Sequence, residues 1–271
     1  MYRGVKKYFE GRETKDGAGV KLRRCFGYHQ IADFDPFLMM DFFDSTDPND
    51  YRKGFPWHPH RGIETVTYLI KGEIEHGDSI GNQGVIKDGQ CQWMTAGSGI
   101  LHQESPQASP EMLGVQVWLN LAADNKMTEP QYGDITEAMI PVYKAQDKKV
   151  HIIAGKYEGL SGEIQRNDTK PIFFDVELEA EAEFVFELPR DFNAYAFLIR
   201  GQANFNPEKT EFKNYPQGVL YESGEKIKVN TGENTARFLF LAGKKLEEPV
   251  AWGGPIVMNT KKELNTFIKS K

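Results

Sequence analysis

Two short runs of histidine and glutamate could together bind a metal ion. The first run contains His58 and His60, and the second contains His102 and Glu104. Because residues i and i+2 of a β-strand point to the same face, each pair would present both donor groups to one side of a sheet. Three imidazoles and one carboxylate suit a divalent transition metal and leave coordination positions open for water, dioxygen or a chelating substrate. This donor set favours Fe(II), with Mn, Ni, Co and Cu as alternatives.

The surroundings of the first histidine pair add two expectations. Glu64 has the same parity as His58 and His60, so an uninterrupted strand would turn Glu64 towards the same interior. Pro59 cannot donate a hydrogen bond to a neighbouring strand, which predicts an edge strand or a bulge between the two histidines.

The elements that must position these residues are β-strands. Apolar and polar residues alternate in short segments, which Gly, Asn, Asp and Pro separate. This pattern predicts an all-β fold of the sandwich or barrel type. One short C-terminal helix is predicted over 261–268, where Leu264, Phe267 and Ile268 are spaced to share a helix face. The predicted strands include residues 65–70, 114–121, 172–178, 184–188, 195–199 and 237–241.

A second set of similar segments indicates that the barrel is duplicated. Residues 67–73 and 196–202 both consist of a strand, a basic residue, a glycine turn and the start of another strand. We therefore predict two tandem domains, 1–132 and 133–271. No histidine follows His151, so the second domain is expected to lack a comparable metal site. Its expected role is either structural or to close the pocket of the first domain.

The glycines of the two copies also predict what replaces the metal ligands. Placing Gly232 on Gly97 brings Arg237 and Leu239 to the positions of the second ligand pair. An arginine and a leucine cannot coordinate a metal, so this alignment agrees with the loss of the site.

Several apolar residues lie close in sequence to the histidines. An apolar wall beside a metal suits a flat aromatic ligand, although aromatic residues of a barrel can equally form its core. His76, which precedes a turn, is a candidate for the rim of the same pocket or a hydrogen-bonded turn residue. The other candidate pocket residues are Phe43, Phe55, Met94 and Trp118.

Composition limits the classes of partner. The net charge of −6 argues against direct binding to nucleic acid, which usually needs a basic face. The basic cluster 21–24 is interpreted as a solvated strand end. Two distant cysteines give no disulfide framework. With no apolar signal segment and no stretch long enough to span a bilayer, we expect a cytoplasmic protein that does not bind membranes.

Four motifs resemble those of the pirin family, in the cupin superfamily. They are HPHRGIETVTY at 58–68, EHGDSIGN at 75–82, MTAGSGILHQE at 94–104 and QVW at 116–118. The resemblance covers nearly the whole chain and implies two tandem cupin domains, each a jelly-roll barrel. It also implies one iron in the N-terminal domain, held by His58, His60, His102 and Glu104, with Glu64 beside the site and Mn, Ni, Co, Cu or Zn as substitutes.

The resemblance implies one of two functions. Some pirins are similar in activity to quercetin 2,3-dioxygenase, an oxidoreductase that opens a flavonol ring and releases carbon monoxide. In that case a carboxylate near the metal, Glu104 or Glu64, would accept the substrate hydroxyl proton. Other pirins resemble iron-dependent regulators that bind a transcription factor or a metabolic enzyme. The small aromatic substrate and the protein partner are therefore alternative expectations from the same ligands.

Overall fold

The computed structural model describes residues 1–166 and 168–268, so the last three residues of the predicted second domain lie outside the described part. Strands dominate the fold, as predicted. In chain order the first twelve are β1 (Val5–Phe9), β2 (Arg12–Asp16), β3 (Val20–Phe26), β4 (Phe37–Ser45), β5 (Phe55–His60), β6 (Ile63–Lys71), β7 (Ile74–Asp78), β8 (Gln83–Ile86), β9 (Cys91–Thr95), β10 (Ile100–Pro106), β11 (Met112–Asn120) and β12 (Gln131–Ile135).

The remaining strands belong to the second half of the chain. They are β13 (Val142–Lys144), β14 (Lys148–Ala154), β15 (Lys156–Tyr157), β16 (Leu160–Ser161), β17 (Ile172–Leu178), β18 (Glu183–Glu187), β19 (Phe192–Asn204), β20 (Phe212–Asn214), β21 (Gln217–Tyr221), β22 (Lys226–Asn230), β23 (Ala236–Lys244), β24 (Ala251–Gly253) and β25 (Ile256–Met258). The α-helices are α1 (Ile31–Phe34) and α2 (Lys261–Ile268), and α2 confirms the predicted C-terminal helix. Neither α-helix is long enough to span a membrane.

Backbone contacts divide the chain into two compact units. The histidine unit consists of residues 12–32, 36–137 and 246–268, and the second unit consists of residues 1–11, 33–35 and 138–245. Each unit is thus completed by a segment from the far end of the chain. The domain boundary predicted between residues 132 and 133 stays a prediction.

The strand orders of the two units support a duplicated barrel. In the histidine unit, seven strands follow the order β12-β9-β6-β11-β4-β3-β2. In the second unit, seven strands follow the order β1-β21-β19-β23-β17-β14-β13. The two orders correspond strand by strand, with β6 and β19 as counterparts, except that the edge position of β12 is taken by the N-terminal strand β1. The histidine unit adds a four-stranded sheet in the order β5-β10-β7-β8.

The glycine alignment of the second ligand pair was wrong by one strand. Arg237 lies on β23, where its guanidinium donates to Asp175 at 2.9 and 2.6 Å. The counterpart of β10 is instead β22, because β22 pairs with β18 as β10 pairs with β5. Ile227 and Val229 of β22 are fully buried in an apolar core with Phe184 of β18. Apolar side chains therefore fill the interior of the second barrel where the first barrel has histidines.

Gly62 connects the two sheets of the histidine unit and allows the C-terminal segment to approach. Its φ is +71°, and a Cβ atom built on it would lie 2.0 Å from the carbonyl oxygen of Val257. Gly81 has a φ of +98° but has nothing within 4 Å of the same added atom. Alanine substitutions at these two glycines therefore distinguish two contributions to the loss of stability. Gly81 reports backbone strain alone, and Gly62 reports strain together with steric overlap.

We expect Gly62→Ala to lower the free energy of unfolding by about 3 kcal/mol or more, because it combines backbone strain with an overlap against backbone that cannot move cheaply. Gly81→Ala, the matched control, should cost about 1–2 kcal/mol from strain alone. Urea unfolding followed by fluorescence measures both values. Equal losses for the two variants would contradict this account of Gly62.

Candidate metal centre

The Nε2 atoms of three histidines converge in the histidine unit. Nε2 of His58 lies 3.0 Å from Nε2 of His60 and 2.9 Å from Nε2 of His102. The three side chains form a group whose donor atoms all lie within 4.8 Å of one another. Within residues 1–166 and 168–268, no other three His, Cys, Asp or Glu side chains meet in this way. Convergence of three ring nitrogens on one point is the geometry of a metal-binding site.

Strand pairing explains the convergence. His58 and His60 lie two residues apart on β5, and His102 on β10 is the direct Cα partner of His58. The prediction that the two histidines of the first run share a face is confirmed. β5 is an edge strand of its sheet, which explains how Pro59 is tolerated between them.

The outer nitrogens of two rings are held by backbone carbonyls. Nδ1 of His58 lies 2.8 Å from the carbonyl oxygen of Pro56, and Nδ1 of His60 lies 3.3 Å from that of Pro255. A proton on Nδ1 satisfies each carbonyl and leaves the lone pair of Nε2 available to a metal. Burial lowers the pKa of His60 to about 3, with a smaller contribution from His58, so the ring is neutral at pH 7. The rings therefore fit a divalent ion.

Glu104 lies on the same strand as His102 but outside the group of converging nitrogens. Its carboxylate accepts hydrogen bonds from Nε2 of Gln116, at 3.0 Å to Oε1 and 2.8 Å to Oε2, and from the hydroxyl of Thr67 at 3.2 Å. The β10–β5 pairing shifts register between His102 and Glu104. The structure thus brings together three of the four residues predicted as ligands, whereas the carboxylate of the fourth is bound to side chains of the neighbouring sheet.

Glu64 is not brought to the histidines, and the expectation that it faces their interior was wrong. The chain turns at Gly62, so β6 starts anew at Ile63 and the parity of β5 does not continue. Thr67 faces Glu104, and Glu64 lies three residues earlier on β6, on the other face of the sheet. There its carboxylate accepts a hydrogen bond from the hydroxyl of Thr95 at 2.7 Å.

A cavity of about 650 Å³ opens beside His58 and His60. This volume is in the range of pockets that hold small organic ligands. Trp118 packs edge-on against His60, with ring centroids 4.9 Å apart, and against Trp252, with centroids 5.6 Å apart. Phe55 adds to the apolar wall. Two of the predicted pocket residues, Phe55 and Trp118, therefore line the cavity.

The other three candidate pocket residues have different positions. Phe43 packs in an apolar core with Leu22 and Leu69. Met94 is fully buried in the core cluster that includes Trp118. The ring of His76 is buried behind the histidine group, with its centroid 5.3 Å from that of His102. It does not line the cavity and instead stacks on Tyr132, with centroids 4.6 Å apart.

Sequence reasoning missed two parts of the cavity. Arg24, interpreted as part of a solvated strand end, lines the cavity together with Asp41. Arg24 lies two residues from the buried Leu22 on the same strand, so both side chains point to the same face. This spacing was the signal in the sequence that Arg24 faces inward. The C-terminal segment contributes Trp252 and Pro255. Nothing in the local sequence shows that a segment so distant along the chain packs against the histidines.

Comparison with known families decides the classification. The profile described as Pirin matches residues 19–119, and the profile described as Pirin C-terminal cupin domain matches residues 173–270. The chain belongs to the pirin family. A pirin-like protein of Caulobacter vibrioides is 41% identical over 266 residues, which cover 97% of this chain and 95% of that protein. The predicted all-β fold with two cupin domains is confirmed.

Two solved structures are similar to 88% or more of this chain. A quercetin 2,3-dioxygenase from Acinetobacter baumannii superimposes with a TM-score of 0.89 at 29% identity, covering 100% of this chain and 96% of that one. A bacterial pirin from Escherichia coli in complex with nickel(II) has a TM-score of 0.68 at 18% identity and covers 88% of this chain and 98% of that one. At that identity the second structure shows the shared pirin fold.

Proposed function

We propose that this protein is a metal-dependent dioxygenase that opens a flavonol ring, as in the quercetin 2,3-dioxygenase reaction. The observation that carries the proposal is the convergence of three Nε2 atoms at the edge of a cavity with aromatic walls. The similarity to the Acinetobacter baumannii quercetin 2,3-dioxygenase supports the same activity. The substrate would then be a small, flat aromatic compound, for which the cavity of about 650 Å³ has room.

Iron(II) is the metal proposed, one ion per chain, with Mn, Ni, Co, Cu or Zn as substitutes. When bound, the ion would lower the pKa of a coordinated substrate hydroxyl as a Lewis acid and would support the reaction with dioxygen. His58, His60 and His102 would hold it. Glu104 is proposed as the fourth ligand, which requires its carboxylate to turn from Gln116 towards the histidines.

The residues around the centre have separate roles in this proposal. Glu104 is also the proposed acceptor of the substrate hydroxyl proton. In this structure its carboxylate accepts hydrogen bonds from Gln116 and Thr67. The buried Nε1–H of Trp118 has no hydrogen-bond partner in the described part of the chain. Trp118 and Trp252 would exclude water from the face of the bound ring.

The test of this function is a quercetin assay with protein purified under anaerobic conditions and loaded with Fe(II). We expect one molecule of oxygen to be consumed and one of carbon monoxide to be released for each quercetin that disappears. Absorbance follows quercetin, an oxygen electrode follows oxygen, and gas analysis follows carbon monoxide. The same assay on metal-stripped protein is the control. No turnover with Fe, Mn, Ni, Co or Cu would overturn the enzymatic proposal.

One observation favours a regulatory function as the second candidate. Trp57 and Leu101 flank the ligand-bearing positions of β5 and β10, and their side chains are 53% and 47% exposed. Exposed apolar side chains next to a metal centre are suited to contact a protein partner. A pull-down from a lysate with wild type and a Trp57→Ser/Leu101→Ser variant, each in its Fe(II) and metal-free forms, tests this candidate. The regulatory candidate requires that a partner is captured in stoichiometric amount by the wild type, that the variant does not capture it, and that its capture differs between the Fe(II) and metal-free forms.

A further inference from the structure

The cavity beside the histidines has a second polar region, built around Arg24. Nε of Arg24 donates to Oδ1 of Asp41 at 2.9 Å, and Nη2 donates to Oδ2 of Asp41 at 2.7 Å. Nη2 also donates to Oδ2 of Asp16 at 2.6 Å. All three residues line the cavity. The side chain of Asp41 is 4% exposed, so the carboxylate of the Arg24–Asp41 ion pair is buried.

The ion pair leaves part of the guanidinium unused. A guanidinium has five N–H donors in a fixed plane, and three of those on Arg24 are committed to the two carboxylates. The two N–H groups of Nη1 have no hydrogen-bond partner among the described residues. Because 35% of the Arg24 side chain is exposed at the cavity, these donors are available to a bound molecule.

The charges of the group decide what kind of molecule fits. Two carboxylates, of Asp16 and Asp41, surround one guanidinium, so the formal charges of the group sum to −1. A ligand carboxylate would meet the donors of Arg24 but would also be repelled by two charged neighbours. A neutral hydroxyl can accept from Nη1 and donate its own proton to an aspartate oxygen. The group therefore complements an uncharged hydroxyl better than an anion.

Strand pairing places this group and the histidines along the same cavity wall. Asp41 and Met39 are successive residues on one face of β4, about 7 Å apart. Met39 is the Cα partner of Trp118, whose ring lies 4.9 Å from that of His60. A fused aromatic system lying along Trp118 would thus reach from the metal-binding nitrogens to the neighbourhood of Arg24.

We propose that Arg24, Asp41 and Asp16 form a subsite that recognises an uncharged hydroxyl on the outer ring of an aromatic substrate and discriminates against a carboxylate there. This inference rests on the proposed flavonol-opening function. It adds the substrate class: aromatic compounds with a metal-chelating end and a hydroxylated, uncharged far end.

The experiment measures binding and is separate from turnover. Fe(II)-loaded protein under anaerobic conditions is titrated with 3-hydroxyflavone and with derivatives that carry one added hydroxyl, or one carboxylate, at position 4′ or 7. Quenching of tryptophan fluorescence reports binding, because Trp118 and Trp252 line the cavity. We expect one of the two hydroxyl derivatives to bind about tenfold more tightly than 3-hydroxyflavone. The carboxylate at the same position should bind more weakly than 3-hydroxyflavone.

Variants assign the effect to the subsite. Arg24→Gln should remove the tenfold advantage of the hydroxyl derivative, whereas the control Arg23→Gln, one residue away on the other face of β3, should keep it. If Arg24→Gln does not fold, because Asp41 is left buried without its partner, Asp16→Asn gives the test. It removes one negative charge at an exposed position and should strengthen binding of the carboxylate derivative about tenfold.

The outcomes separate this subsite from the proposed reaction. Equal affinities for the three kinds of ligand in the wild type, or unchanged discrimination in both Arg24→Gln and Asp16→Asn, would overturn the subsite even if quercetin is consumed. Discrimination without any turnover would support the subsite and overturn the dioxygenase function. No binding of any flavonol would overturn both.

Discussion

A His58→Ala/His102→Ala variant is expected to fall from close to one metal ion per chain to less than about a tenth of an ion. Two of the three converging Nε2 atoms are then gone, and one imidazole cannot hold a divalent ion against buffer and chelator. The fold should persist, because His58 is only partly buried and the other barrel residues remain packed. Removing the buried ring of His102 should cost about 1–3 kcal/mol of unfolding free energy.

Metal analysis of protein expressed with added iron measures this result, and circular dichroism checks the fold. The matched control is His29→Ala/His151→Ala, which also removes two imidazoles but leaves the histidine group intact. The control should keep its metal. If the His58→Ala/His102→Ala variant retained one ion per chain, the convergence of the rings would have to be explained without a metal.

The second large effect concerns Glu104 and Glu64, between which the sequence left the role of proton acceptor open. We expect Glu104→Gln to lower flavonol turnover about 100-fold or more, because an amide cannot accept the substrate proton and is a poor metal ligand. A glutamine can keep the same shape and present its oxygen to Gln116, so the variant should remain folded. Glu64→Gln should change turnover by no more than about threefold, because Glu64 contacts Thr95 on the other face of β6.

The comparison is made at saturating quercetin with metal content measured for each variant, so that loss of metal and loss of proton transfer are distinguished. A Glu104→Gln protein that keeps its metal but loses turnover supports the role of proton acceptor. Loss of metal and turnover together supports the role of ligand. A larger effect of Glu64→Gln than of Glu104→Gln would contradict the argument that Glu64 takes no part in the reaction because it lies on the other face of β6.

The sequence by itself determined the parts of the site that depend on local geometry. The strand period places His58 and His60 on one face, and this holds for any strand because alternate side chains project to the same side. The similar segments at 67–73 and 196–202 correctly predicted a duplicated strand order. The apolar spacing at Lys261–Ile268 predicted the C-terminal helix.

Tertiary structure decided the features of the site that depend on turns of the chain and on packing between distant segments. The face of Glu64 is set by the turn at Gly62, where a positive φ permits close contact with the carbonyl of Val257 and ends the parity of β5. Arg24 becomes a cavity residue only because β3 pairs with β4 and brings it to Asp41. Strand periodicity extends over a few residues, but the strands that meet in a barrel are chosen by the packing of the whole unit. The sequence therefore singled out the three histidines that converge, and the tertiary structure decided what surrounds them.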